Sequence, residues 1–204
     1  MVDPGTAAVV HSRHLGSGSV RSLAFLPSGR QLAAGMLRGC VHLVDPDTAA
    51  VVHRVHLNSG VVRSLAFSPR GRQLAAGCDN GSVHVVVLDT AAVVHLTPQP
   101  LDSGSVLSLA FSPSGHQLAA GMLNGFVHLV DPDTGAVVHS VRIGSGAVLS
   151  LACSPSCRQF AAGMRNGSVY LAAPGTRTAV HSMPLGSRWV LSLTYLPDRF
   201  ESRW

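Results

Sequence analysis

Residues 106–141 read Val106-Leu107-Ser108-Leu109-Ala110-Phe111, Ser112-Pro113-Ser114-Gly115-His116, Gln117-Leu118-Ala119-Ala120-Gly121-Met122, Leu123-Asn124-Gly125, Phe126-Val127-His128-Leu129-Val130, Asp131-Pro132-Asp133-Thr134-Gly135 and Ala136-Val137-Val138-His139-Ser140-Val141. The long words are apolar runs of strand length, and the short ones are made of residues that set turn dihedrals or cap them with side-chain hydrogen bonds. Asn-Gly, the strongest short hairpin signal, stands at 80–81, 124–125 and 166–167. No helical period competes over this stretch. The reading is four antiparallel strands, designated a to d, joined by tight turns.

This unit repeats. Ser-Leu-Ala-Phe starts at Ser22, Ser64 and Ser108, and returns as Ser150-Leu151-Ala152-Cys153 and Ser192-Leu193-Thr194-Tyr195, at intervals of 42, 44, 42 and 42 residues. The histidines His11, His53, His95, His139 and His181 follow intervals of 42, 42, 44 and 42. Both series lengthen once, which places a two-residue insertion within Thr97-Pro98-Gln99-Pro100-Leu101-Asp102, a connection between units. A period near 42 is that of a β-propeller blade. The fold expected is all-β: four complete four-stranded repeats at about 18–57, 60–97, 104–143 and 146–183, with partial repeats at 1–14 and 188–197, in one array over 1–204.

Leu-Ala-Phe-Ser-Pro-x-Gly-x-Gln-Leu-Ala-Ala-Gly followed by Asn-Gly-x-Val-His-Leu-Val-Asp-x-x-Thr-Gly resembles the WD-repeat consensus over nearly the whole chain. The resemblance implies one blade per repeat, an assembly platform, and in most members no chemistry of its own. The chain departs from the family's pattern where the Trp of the Trp-Asp pair would stand: Val44, Val86, Val130 and Ala172 replace it, and the Asp is kept only as Asp45 and Asp131. Ala34, Ala76, Ala120 and Ala162 replace the second-strand serine. The family's buried His-Ser-Asp-Trp network is therefore missing, and replacing all its members with apolar groups leaves no polar atom stranded.

Composition narrows the function classes. Only 12% of the 204 residues are charged against 46% hydrophobic, which describes a well-buried or self-associating chain. No apolar run approaches the roughly 18 residues of a spanning helix. The opening Met1-Val2-Asp3-Pro4-Gly5 lacks the basic start and apolar core of a leader, so the expectation is an intracellular, cytoplasmic protein with no membrane contact. All 15 basic residues are arginine, giving a net charge of +5. They are scattered over equivalent turns without a basic run, and with 5% aromatics this points away from nucleic acid.

Catalytic and metal sites are not predicted. Cys40, Cys78, Cys153 and Cys157 offer no zinc spacing and read as reduced thiols. The histidines recur because the unit recurs, and equivalent positions on successive blades lie too far apart for shared coordination at about 2 Å. There is no Gly-x-Ser-x-Gly elbow, and Gly-Ser-Gly at 16–18 and 144–146 lacks the lysine of a phosphate loop. No cofactor is implied.

Two rims remain. Arg30, Arg72 and Arg158 in the first turns share a rim with Asp45, Asp47, Asp89, Asp131 and Asp133 in the third, where exposed ion pairs contribute about 0–1 kcal/mol each. The opposite rim carries the second-to-third-strand turns, with Arg38, Asp79, Asn80, Asn124, Arg165 and Asn166 as candidate contacts for a protein or peptide, beside the 97–102 loop. The expected function is a noncatalytic interaction scaffold, with homo-oligomer formation through the incomplete blade ends as a further possibility. The alternatives are a truncated or designed repeat fragment without independent activity, and a His-rich metal-binding or hydrolytic propeller.

Overall fold

The computed structural model describes residues 12, 14–15, 18–90, 92–95, 104–156, 159–173, 181–186 and 188–194. They form four antiparallel four-stranded sheets, each in sequential order. The first contains β1 (Val20–Phe25), β2 (Leu32–Met36), β3 (Cys40–Val44) and β4 (Val51–His56). The second contains β5 (Val62–Phe67), β6 (Gln73–Cys78), β7 (Val83–Val87) and β8 (Ala92–His95). The third contains β9 (Val106–Phe111), β10 (Leu118–Met122), β11 (Phe126–Val130) and β12 (Val137–Arg142). The fourth contains β13 (Val148–Cys153), β14 (Phe160–Met164), β15 (Ser168–Ala172) and β16 (His181–Pro184). No helix among the described residues is long and apolar enough to cross a membrane. The 97–102 insertion, most of the 1–14 partial repeat, Cys157 and Arg158 lie outside the described residues.

Local chemistry builds the hairpins. In the third turn of a blade, Asp45 Oδ1 accepts the backbone N–H groups of Asp47 at 2.8 Å and Thr48 at 3.1 Å, and Asp131 does the same for Asp133 and Thr134. These bonds to the ionised form, those from Thr134 foremost, hold the Asp131 carboxyl below the usual carboxylate range. The residue that closes this turn has positive φ whether it is Gly135 (φ 74) or Ala49 (φ 55). At Ala49 the turn imposes a left-handed conformation that a side chain disfavours.

The core lies between blades. Side chains alternate across each strand, but both faces of the middle two sheets meet a neighbour, so their second and third strands are buried almost throughout. Ala33, Val41, Leu43 and Val55 of the first blade pack on Leu74, Ala76, Cys78 and Val86 of the second. Ala75, Val83 and Val85 of the second pack on Leu118, Ala120, Met122 and Val130 of the third. Ala119, Val127, Leu129 and Val141 of the third pack on Phe160, Ala162 and Met164 of the fourth.

At each junction a glycine on the second strand admits a valine from the next blade. A Cβ at Gly35, Gly77 or Gly121 would lie 2.6, 2.5 or 2.6 Å from Cγ1 of Val62, Val106 or Val148. At two of these junctions the serine facing the glycine ties down the same valine: Ser22 Oγ donates to Val62 C=O at 3.4 Å and Ser108 Oγ to Val148 C=O at 3.2 Å, whereas Ser64 Oγ, facing Gly77, is buried without a partner. The first strands lie side by side, β1 on β5, β5 on β9 and β9 on β13, but β13 makes no such contact with β1. Among the described residues the first blade therefore lacks a neighbouring strand along its inner strand. Val20, Leu23 and Phe25 are 42%, 61% and 53% exposed, whereas Val62, Val106 and Val148 are fully buried.

Candidate functional site

Each second-to-third-strand turn is anchored by the same backbone bond to the approach of its own first strand. Leu37 N–H donates to Ser19 C=O, Asp79 to Val61, Leu123 to Ser105 and Arg165 to Ala147, at 2.9–3.0 Å. The glycine that ends the turn has positive φ in all four blades, and a Cβ on Gly125 would run into the Gly144 carbonyl. Four rigid tips result, carrying Leu37-Arg38, Asp79-Asn80, Leu123-Asn124 and Arg165-Asn166. Leu37, Arg38, Asn80, Leu123, Arg165 and Asn166 are exposed, and Asp79 and Asn124 are half-buried.

The asparagines also serve the turn. Asn80, Asn124 and Asn166 accept the backbone N–H two residues on, from Ser82, Phe126 and Ser168, at 3.1, 3.3 and 3.0 Å. Their Oδ1 atoms thus hold the hairpin, and the amide nitrogens are the donors they present outward. Asp79 C=O accepts Ser105 Oγ at 2.8 Å, linking the second tip to the third blade. Arg38 stands beside Arg54 at an open cavity of about 240 Å³ that Leu15, Met36, Cys40 and His42 also line. Arg165 lays its guanidinium 5.1 Å from the centre of the Trp189 ring, a cation–π contact.

The structure adds a buried polar cluster that sequence reasoning missed. In the second blade, His84 Nε2 lies 2.6 Å from Ser59 Oγ and 3.0 Å from Ser82 Oγ, and Ser82 Oγ donates to Asn80 Oδ1 at 2.6 Å. The interblade connection, the second turn and the third strand are thereby tied together by a network other than the one the family consensus would supply. Burial beside this cluster pushes the Cys78 thiol up to about 11; Asp79 adds to the rise, and the Ser82 and Ser59 hydroxyls oppose it. Only here do serines at 59 and 82 coincide with the recurrent histidine. That coincidence was visible in the sequence once strand faces were assigned.

The other histidines on the third strands have individual environments. His128 Nδ1 lies 2.8 Å from Ser140 Oγ. His42 is 8% exposed with Nδ1 buried and unpartnered, and its pKa is lowered by burial first, then by Arg54 and His56. His56 Nδ1 lies 3.1 Å from Cys40 Sγ. Among the described residues no three His, Cys, Asp or Glu side chains converge to hold a metal ion.

On the opposite rim, Arg72, Asp89 and Asp133 come together about a cavity of about 330 Å³ that Arg70, Gln73 and His116 also line. Gln73 Nε2 donates to Asp133 Oδ1 at 3.0 Å, so this mixed-charge hollow bridges the second and third blades.

The geometry agrees with what comparison with known proteins finds. The model of the WD domain, G-beta repeat, matches residues 8–45 and 50–86, and that of the anaphase-promoting complex subunit 4 WD40 domain matches 92–154. No curated protein matches the chain at a significant level. The match over 50–86 runs from β4 into β5–β7 and that over 92–154 from β8 to β13, so both cross from one sheet to the next, as the 42-residue sequence unit does. Four sequential four-stranded sheets and WD models reaching from residue 8 to residue 154 place this chain in the WD-repeat family.

Proposed function

We propose that the chain is a noncatalytic scaffold that presents the rim of second-to-third-strand turns to a protein or peptide partner. The observation that carries this reading is a repeated support beneath unrepeated tips. The four turns share one backbone anchor and one glycine, yet they display Leu-Arg, Asp-Asn, Leu-Asn and Arg-Asn. Exposed Leu37 and Leu123 supply apolar contact, the Arg38 fork suits a carboxylate, and the Asn nitrogens suit backbone carbonyls. WD-repeat proteins generally bring proteins together, and the likeness over 92–154 to a domain of an anaphase-promoting complex subunit fits a place within a larger assembly. The reading sets the protein in the reducing interior of a cell, the cytoplasm, where thiols such as Cys78 stay reduced.

Capture from a cell extract tests the rim. The chain and an Arg72→Glu variant, changed on the other rim, should retain the same defined partner. A variant combining Leu37→Ser, Arg38→Glu and Leu123→Ser should lose it by at least about tenfold, a difference of about 1.4 kcal/mol. Equal retention by both variants would remove the rim from the interface.

A second reading is favoured by the exposure of Val20, Leu23 and Phe25, residues whose counterparts in later blades sit between sheets. On this reading the open blade faces pair with another copy of the chain, and light scattering over a concentration series tests it.

A further inference from the structure

We propose that residues 188–194 act as an internal stand-in for the first strand of a second copy, and that two copies pair head to tail by displacing it. The inference rests on the reading that the open blade faces pair with another copy, and it names the site that opens.

The segment makes a first strand's contacts on the fourth blade. A Cβ at Gly163 would lie 2.6 Å from Val190 Cγ1, matching the three valine–glycine contacts between complete blades. Val190 C=O accepts Ser150 Oγ at 3.3 Å, as Val148 C=O accepts Ser108 Oγ, and Val190 N–H donates to Met164 C=O at 3.1 Å. Yet 188–194 pairs in no sheet, and Trp189 and Leu191 remain 57% and 68% exposed. Of the first strand expected at 190–195, the described residues 190–194 are seated without a ladder, and no second strand among the described residues pairs with them.

At the other end, β1 has equivalent side chains and no glycine among the described residues to receive them. Val20, Ser22 and Leu23 are the repeat equivalents of Val190, Ser192 and Leu193. Relative to the third blade the added exposure lies on this inner strand: Leu37 and Val52 are no more exposed than their equivalents Leu123 and Val138, and Ala34, Met36 and Val44 are buried. Among the described residues, what the first blade lacks is therefore one strand-sized contact, and the chain already contains its complement at Gly163 and Ser150.

Two effects decide the occupant. The tethered segment has a high effective concentration, which favours it in dilute solution. The strand of a second copy is already paired to β2, so it loses less freedom on docking, and seating it also covers Leu23 and Phe25. The contact is head to tail, so growth stops only where the rotation from copy to copy brings both ends together. The four sheets described in each of two copies then make eight blades, within the range that propellers adopt.

The test uses the full chain with Trp204→Phe, which leaves Trp189 as the sole indole, followed by light scattering and fluorescence over one concentration series. The expected result is a rise from 21.2 kDa to twice that mass, with Trp189 emission changing at the same midpoint as its Arg165 contact is lost. Val20→Asp should hold the chain monomeric with its circular dichroism unchanged. Val190→Asp, by ejecting the segment, should tighten the dimer about tenfold, and the Trp189 readout stands independently should this variant unfold. A dimer with Trp189 emission unchanged refutes the exchange and leaves self-association intact, whereas a monomer at every concentration refutes both. Growth past the dimer refutes the closed pair.

Discussion

The valine-in-glycine junction can be tested by pairing Gly121→Ala with Val148→Ala. A methyl on Gly121 would meet Ser108 Oγ and lie 2.6 Å from Val148 Cγ1, and Val148 is fully buried with no room to retreat. Overpacking of this kind costs about 1–3 kcal/mol, from which the lower entropy of the unfolded alanine chain recovers about 0.4–1, leaving about 1–2. Val148→Ala removes two buried methyl groups at about 0.8 kcal/mol each and leaves a cavity, for a loss of about 2 kcal/mol. In the double variant the new methyl enters the space that the valine vacated. The combined loss should be about 1–2 kcal/mol, well short of the 3–4 expected for independent sites. Urea unfolding followed by circular dichroism, with unchanged m-values, reads all four corners of the cycle. Losses that add to within about 0.5 kcal/mol would refute direct contact as the reason for glycine at this position.

Ala49→Gly should stabilise the chain by about 0.5–1 kcal/mol and Gly135→Ala should destabilise it by about as much, because both positions adopt positive φ in the same turn; urea midpoints check the opposite signs. His42 has a folded pKa below its usual 6.5, so its contribution to stability is present above that pH and is lost as the pH falls. Urea midpoints at pH 7.5 and pH 5.0 should differ less for His42→Leu than for the unsubstituted chain. Cys78 has its pKa raised from 9.0 to about 11, so its contribution is complete below pH 9 and is lost as the pH rises through 11. Native alkylation at pH 8 should modify Cys40 and spare Cys78, and mass spectrometry after digestion reads the difference.

Much of the fold was legible because hairpins are local. The strands read from the third unit agree with β9 to β12 to within a residue at most ends, since Ser112-Pro113-Ser114-Gly115 and Leu123-Asn124-Gly125 punctuate them chemically. The candidate rim was legible in outline for the same reason, as Arg38, Asn80, Asn124, Arg165 and Asn166 follow from the hairpin register. What the asparagines do was less so. Their Oδ1 atoms bind the backbone two residues on, and a turn-former reads the same in sequence as a recognition residue. The cluster of Ser59, Ser82 and His84 escaped because it joins a connection to a strand 25 residues later, and because the other units do not repeat it. Arg72, Asp89 and Asp133 were placed on one rim correctly, but the hollow they share appears only when two blades pack.

By itself the sequence determined the period, the strand order within a blade and the rim each turn faces, because these depend on dihedral preferences and hydrogen bonds closed within a few residues. Only the tertiary structure decided which face meets which neighbour, why a glycine stands on each second strand, and where the array leaves a contact unfilled. Gly35 makes room for Val62 and Gly121 for Val148, partners 27 residues apart that touch only when successive sheets stack. Val20 is exposed for the same reason in reverse: its burial depends on a glycine that no preceding sheet within the described residues provides.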